Sequence, residues 1–221
     1  MYRLVKGENT FTKVISLYDS ESSVATEAEE NNDTIWTMCE DGSGNLYAGV
    51  YAHTLHENPA IYKSTNGGTS WTYFFNFNTA GLTTNGKHIH SIIYSSQTNA
   101  LYAIVGEINT VWESTDGGVS WYNFISGLPY DKGSAMLDLP SGILIGSDGA
   151  YECALTIVYF DVNDIQSSYI GWANTVFALR RSDITGFIYA FCKIDSSALS
   201  QKYYPPYSVL SLSGVEQEAA I

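Results

Sequence analysis

Six side chains of this sequence could take part in metal or acid–base chemistry: His53, His56, His88, His90, Glu107 and Asp148. Imidazole and carboxylate groups together can bind a transition metal or exchange protons with a substrate. The same groups, with nearby Tyr and Trp rings, could instead form a binding face for a glycan or a protein. A third interpretation gives them hydrogen-bonding roles only. We assign no catalytic residue and expect no cofactor; the alternative is a metal at His53, His88, Glu107 and Asp148.

The elements that would position these groups are short β-strands. Runs of five to eight residues, rich in β-branched and aromatic types, alternate with Gly, Asn, Ser and Asp turns. No segment has the apolar stripe of a long amphipathic helix. The pattern predicts antiparallel strand pairs near 35–41/46–52, 90–95/101–105, 134–139/143–147 and 175–180/187–193.

The chain also contains an internal repeat. Residues 61–75, IYKSTNGGTSWTYFF, align without a gap with residues 111–125, VWESTDGGVSWYNFI. The second-strand anchors Leu46, Leu101, Ile143 and Ile188 recur about every 40 to 50 residues, the period of four-stranded propeller blades. We therefore predict an all-β fold, a β-propeller of four or five four-stranded antiparallel blades.

A single propeller domain over 1–221 follows from this period. Its predicted blades are 34–77, 88–125, 133–162 and 173–214. The segment 10–17 is a lone strand that could complete the last blade and remove its exposed edge. The alternative is an incomplete propeller that another segment would complete.

Propeller topology predicts where the candidate groups lie. Loops from a second strand to a third, and from one blade to the next, open on one common face. That face would carry His53, His56, Glu107 and Asp148. His88 and His90 share one side of the innermost strand of the second blade, because side chains two apart do.

The repeated turns STNGGTSW (64–71) and STDGGVSW (114–121) resemble the Asp-box or BNR repeat, Ser-x-Asp-x-Gly-x-Thr-Trp, of sialidase-like and sortilin-like propellers. Asn66 replaces the motif Asp in the first copy, and Ser120 replaces the Thr in the second. The resemblance implies a turn on the face away from the active site. It implies structural roles for Ser64, Asn66, Gly68, Trp71, Ser114, Asp116, Gly118 and Trp121.

Composition excludes some classes of partner. Ten Lys and Arg against 23 Asp and Glu give a net charge of −13, which would repel a nucleic acid backbone. No apolar run approaches the ~20 residues of a membrane span, and no signal peptide is recognised. We expect neither nucleic acid nor a membrane span, and both an extracellular or virion location and a cytoplasmic one stay open.

The arginine content argues against a sialidase. Such enzymes hold the sialic acid carboxylate with three arginines, whereas this chain has only Arg3, Arg180 and Arg181. Adjacent Arg180 and Arg181 point to opposite faces of a strand. We therefore do not expect sialidase activity.

Three classes of function follow. The first is a non-catalytic Asp-box propeller that acts as a recognition or structural module for a glycan or protein, as on a virion or cell surface. The second is a glycoside hydrolase-like enzyme with a His and carboxylate site on the loop face. The third is an intracellular assembly factor. The oligomeric state is left open.

Overall fold

The structure is a computed structural model that describes residues 1–14, 33–52, 57–108, 110–128, 132–148, 154–160, 165–169, 173–184, 186–194 and 207–212. Every regular element within these ranges is a β-strand. In the same ranges no helix is long and apolar enough to cross a membrane. The all-β class predicted from the sequence is confirmed.

The N-terminus forms a short antiparallel hairpin of β1 (Tyr2–Arg3) and β2 (Thr12–Lys13). Within segment 10–17, residues Thr12–Lys13 pair with β1, and residues 15–17 lie outside the described ranges. That this segment completes the last blade stays a prediction.

The first blade is a four-stranded antiparallel meander in the order β3-β4-β5-β6. Its strands are β3 (Thr34–Glu40), β4 (Leu46–Tyr51), β5 (Ala60–Ser64) and β6 (Thr72–Asn76). Exposed and half-buried residues alternate along β3, whereas the interior of β4 is buried. Ala48, Val50 and Tyr62 pack together in the core of this blade.

The second blade repeats this order, with β7, β8, β9 and β10 as neighbours. Its strands are β7 (Ile89–Ser95), β8 (Ala100–Val105), β9 (Thr110–Ser114) and β10 (Tyr122–Ser126). All six residues of β8 are buried, as expected for a central strand with both faces covered.

The remaining strands form one seven-stranded sheet. They are β11 (Lys132–Leu139), β12 (Gly142–Asp148), β13 (Ala154–Tyr159), β14 (Ile165–Tyr169), β15 (Ala173–Arg181), β16 (Ile188–Ile194) and β17 (Tyr207–Leu212). β11 to β13 lie at the predicted third blade, β14 follows it without having been predicted, and β15 to β17 lie at the predicted fourth. The pair Asp148–Thr175 joins β12 to β15, a connection that the sequence did not predict.

All four predicted strand pairs are present, with antiparallel pairing in each. All four pairs contain register shifts, and those of the first two blades lie near the strand ends, at Ile35/Thr37 and at Ile89/Ser91. Such bulges twist a strand and re-aim its side chains. Both lie beside the candidate residues discussed below.

Contacts divide the chain into two compact units. The first contains Met1–Ile108 and Glu113–Tyr122, and the second contains Asn109–Trp112 and Asn123–Ile221. A buried cluster that includes Leu144, Val176 and Leu179 stabilises the second unit. The assignment of 1–221 to a single domain stays a prediction.

Candidate functional site

The first Asp-box-like turn is held by side-chain hydrogen bonds to its own backbone. Ser64 Oγ accepts from Gly68 N at 2.9 Å, and Asn66 Oδ1 accepts from Ser70 N at 2.9 Å. Gly67 and Gly68 have φ of 65° and 78°, a region that favours glycine. The serine bonding that we expected from the sequence is present.

The second turn has the same bonds with a carboxylate in place of the amide. Ser114 Oγ accepts from Gly118 N at 2.8 Å, and Asp116 Oδ1 accepts from Ser120 N at 2.9 Å. The Ser120 hydroxyl donates to Asp116, whereas in the first turn the Asn66 amide donates to Ser70 Oγ at 2.8 Å. The serine hydroxyl reverses its role, so either Asp or Asn can close the turn.

The motif tryptophans are buried, with 9% of Trp71 and 3% of Trp121 exposed. Their indole N–H groups differ. Trp121 Nε1 donates to Gly118 O at 3.0 Å, but Trp71 Nε1 is buried without a hydrogen-bond partner in the described part of the chain. Burial of the Trp71 N–H without a hydrogen bond therefore lowers the folding stability of the first turn, and the second turn has no such loss.

Asp116 is the titratable group of the second turn. Its slight burial works to raise its pKa, but hydrogen bonds from Ser120, Ser114 and the Val119 backbone lower the pKa to about 2. The carboxylate is thus ionised at neutral pH and engaged within its own turn. These contacts support the proposed structural role of Asp116.

His88 and His90 form a buried pair on the second blade, exposed by only 6% and 5%. Their Nε2 atoms lie 2.8 Å apart, and His88 Nδ1 lies 3.3 Å from Ala52 O. Because a carbonyl only accepts, the His88 proton is assigned to Nδ1. The contact between the two Nε2 atoms needs one of them as donor and the other as acceptor.

Aromatic stacking connects this pair to an exposed tryptophan. The His88 ring stacks on Tyr51 with centroids 3.8 Å apart, and Tyr51 lies 4.9 Å from Trp36. Trp36 is 46% exposed although its neighbours in the stack are largely covered. We call Trp36, Tyr51, His88 and His90 the aromatic stack.

Gly106 provides the space for the histidine pair. A Cβ at this position would lie 2.3 Å from His88 Cδ2 and 3.0 Å from His90 Nε2. Gly106 N also donates to His88 O at 2.7 Å, which fixes the backbone on the same side. Only a residue without a side chain fits here unless the imidazole moves.

Of the other predicted site residues, the structure describes Glu107 and Asp148. Glu107 is exposed, with φ of 68°, next to Gly106. Asp148 belongs to the second unit, where its Oδ1 accepts from Thr175 Oγ1 at 2.7 Å. His53 and His56 lie outside the described residues.

A metal at His53, His88, Glu107 and Asp148 is the alternative to a protein without a cofactor. Among the residues that the structure describes, no group of three His, Cys, Asp or Glu side chains is placed to hold an ion. A site that includes His53 or His56 stays a prediction.

Trp36 is not singled out by any motif of the sequence. The run TIWTMCE alternates with period two, but the alternation does not say which residues are exposed, and the register shift at Ile35/Thr37 interrupts it at Trp36. In the structure Trp36 and Met38 are 46% and 48% exposed, and Glu40 is also exposed. We call the exposed surface of Trp36 on β3 the β3 face.

Comparison with known sequences gives no relative. No protein-family profile matches the chain. No curated protein matches it. The Asp-box resemblance therefore rests on the residues of the two turns alone.

Comparison with solved structures does give matches. A chain of a nidogen/laminin complex matches with a TM-score of 0.58 and 8% identity, over 80% of this chain and 64% of that one. A protein of unknown function from Dyadobacter fermentans matches with a TM-score of 0.55 and 10% identity, over 80% of this chain and 59% of that one. The protein YCF48, solved with a D1 peptide, aligns at 11% identity and a TM-score of 0.47, over 77% of this chain and 50% of that one.

These matches identify the class of fold. The antiparallel four-stranded sheets and the propeller neighbours make this chain a β-propeller. The chain spans between half and two-thirds of the length of each of these three structures.

Proposed function

We propose that this chain is a non-catalytic recognition module that binds a protein partner through the β3 face. The observation that carries the proposal is the aromatic stack. It holds a half-exposed tryptophan in place on a β-sheet. The proposal assigns no catalytic residue.

The stack gives Trp36 the properties of a binding anchor. Tyr51 supports one side of the indole at 4.9 Å, and His88 in turn supports Tyr51 at 3.8 Å. The hydrogen bonds of His88 to Ala52 O and to His90 fix the lower end of the stack. A ring that is already ordered loses little entropy on binding, and tryptophan is enriched among interface hot spots.

The surroundings of Trp36 suggest the chemistry of the partner. Met38 is a second exposed residue of β3, with a flexible side chain that adapts to apolar surfaces. Glu40 is an exposed carboxylate at the end of the same strand, and the whole chain carries a net charge of −13. We therefore expect a partner surface with an apolar pocket bordered by Lys or Arg, which the negative field would attract.

The comparison with solved structures supports a protein partner. The neighbour from the nidogen/laminin structure is a propeller chain crystallised in a protein complex. A glycan is the other ligand that an exposed indole could stack on. The experiment below separates the two.

Site-specific photocrosslinking tests the proposal. The photoreactive residue p-benzoylphenylalanine replaces Trp36 in one protein and Tyr122 in another, since Tyr122 is an exposed aromatic residue at the start of β10. Both proteins are irradiated in native extract, and the adducts are identified by mass spectrometry. We expect one discrete protein adduct at position 36 that is absent at position 122.

Three outcomes of these experiments would contradict binding of a protein by the β3 face. Identical adducts at both positions, or no protein adduct at position 36, would refute the β3 face as a protein-binding surface. Binding to an immobilised glycan panel that Trp36→Ala abolishes, without a protein adduct, would assign the face to glycans instead.

A further inference from the structure

A polar cavity of about 300 Å³ opens in the first unit, outside the aromatic stack. Four segments line it: the β3–β4 turn, Lys63 of β5, the β7–β8 hairpin and the second Asp-box-like turn. Its volume falls at the lower end of the ~300–1,000 Å³ range of ligand pockets. A molecule the size of one sugar ring would fit.

The wall at the β3–β4 turn is built around the Asp41 carboxylate. Asp41 accepts from Ser43 N and Asn45 N, each at 2.9 Å, from Asn45 Nδ2 at 2.8 Å and from the Tyr47 hydroxyl at 3.0 Å. Burial works to raise the pKa of Asp41, but the bonds from Asn45, Ser43 and Tyr47 lower it below its usual value. Its four acceptor positions are used by the protein, so Asp41 orders the wall and does not coordinate a ligand cation.

Lys63 supplies the positive charge of the cavity. Its Nζ donates to Gly117 O at 3.1 Å and lies over the rings of Tyr47 and Phe74, 5.0 Å and 4.6 Å from their centroids. An ammonium group has three N–H donors. Gly117 O takes one of them, which leaves two for a ligand.

The β7–β8 hairpin adds neutral hydrogen-bonding groups. Asn99 Oδ1 accepts from the Tyr94 hydroxyl at 2.7 Å, so its Nδ2 can donate into the cavity. Asn45 Oδ1 and the Thr115 hydroxyl also border this space and can accept. Leu101 adds an apolar surface.

The charges select the class of ligand. Two carboxylates, Asp41 and Asp116, stand against one ammonium, so a phosphate or carboxylate would meet net repulsion. Lys63 in turn disfavours a cation. A hydroxyl group both donates and accepts, which matches the mixed set of donors and acceptors.

We propose that this cavity binds a small, neutral, polyhydroxylated ligand, a free monosaccharide or the terminal sugar of a glycan. Lys63 and Asn99 donate to its hydroxyls, and Asn45 Oδ1 accepts from them. The site is separate from the β3 face and does not depend on the proposed protein recognition.

The test uses ligand-observed NMR and calorimetry with glucose, galactose, mannose and N-acetylglucosamine at millimolar concentration, and the same sugars immobilised. Asn99→Asp keeps the acceptor for Tyr94 and suits the φ of 55° at this position, but removes the amide donors. Lys63→Met keeps the apolar stem over the two rings. Lys87→Met removes an exposed lysine that does not line the cavity and is the matched control.

We expect binding of at least one sugar, about tenfold weaker in Asn99→Asp and in Lys63→Met and unchanged in Lys87→Met. Binding of only the immobilised sugars would assign the site to glycan termini, and binding of the free sugars to monosaccharides. No binding by the folded wild-type protein, or binding that both cavity variants retain, would overturn the proposal. Tighter binding of inorganic phosphate or acetate than of any sugar would also overturn it. Trp36→Ala should bind sugar as the wild type does, so this experiment is independent of whether the β3 face binds a protein. If Lys63→Met does not fold, the affinity of Asn99→Asp alone tests the proposal.

Discussion

At the scale of single residues, the two motif tryptophans differ in whether the indole N–H is hydrogen-bonded. Trp121 Nε1 donates to Gly118 O, whereas Trp71 Nε1 is buried without a partner in the described residues. Trp→Phe removes the same ring volume at both sites but breaks a bond only at Trp121. We predict that Trp121→Phe is more destabilising than Trp71→Phe by about 1 kcal/mol in urea unfolding. Equal losses, or a larger loss for Trp71→Phe, would contradict this difference.

The Asp and Asn of the two turns should give different responses to acid. The pKa of Asp116 is about 2 in the folded protein and ~3.9 in an unfolded chain. Its contribution to stability is therefore fully present above pH ~4 and is lost as the pH falls through about 2. We predict that Asp116→Asn weakens the acid dependence of unfolding over that range, measured by denaturation at each pH.

The first turn provides the reciprocal control. Asn66 accepts from Ser70 N and donates to Ser70 Oγ. Asn66→Asp should therefore give the first turn the hydrogen bonds of the second and make its stability depend on acid pH. If neither Asn66→Asp nor Asp116→Asn changes how the unfolding free energy depends on pH, the two turns do not contribute to acid stability.

At the scale of elements, the end of β8 determines whether the histidine pair can form. A Cβ on Gly106 would overlap the His88 ring, so Gly106→Ala must displace the imidazole from Tyr51. We predict a loss of about 1–3 kcal/mol in unfolding free energy, typical of overpacking. In a His88→Ala background, Gly106→Ala should hardly change the unfolding free energy, and a double-mutant cycle measures this coupling. Additive effects of the two changes would show that Gly106 does not act through His88.

The strands could be predicted because their signals are local. The runs 46–51 and 100–105 are rich in Val, Ile, Leu and Tyr, and Gly-Gly marks the turn after 64 and again after 114. The strand Ile165–Tyr169 was missed because its sequence, IQSSY, has little β-branched or aromatic content. The pair Asp148–Thr175 was missed because a contact between two blades leaves no periodic signal in either.

The candidate site could be predicted only in part. Placing His88 and His90 on one side of a strand followed from their spacing, but their mutual hydrogen bond depends on Ala52 and Gly106. The exposure of Trp36 depends on how β3 packs, which alternation alone does not determine. The polar cavity joins segments from residue 41 to residue 117, so no local pattern could reveal it.

At the scale of the whole molecule, charge and fold support recognition together. The propeller holds short loops and strand faces on a rigid scaffold, and such surfaces commonly carry function. The net charge of −13 should accelerate association with a basic partner and make that association slower at high salt. These effects alter the rate of encounter, whereas the β3 face should determine how long the complex lasts.

The most direct measurement is the dissociation constant of the partner crosslinked at position 36, determined by calorimetry for the wild type, Trp36→Ala and Tyr122→Ala. If Trp36 is the anchor of the interface, its truncation should weaken binding about 30-fold, the loss typical of a hot spot. Tyr122→Ala, which removes an exposed aromatic residue from the start of β10, should leave the constant unchanged. A Trp36→Ala protein that binds within about twofold of the wild type, or an equal loss in Tyr122→Ala, would contradict recognition through the β3 face.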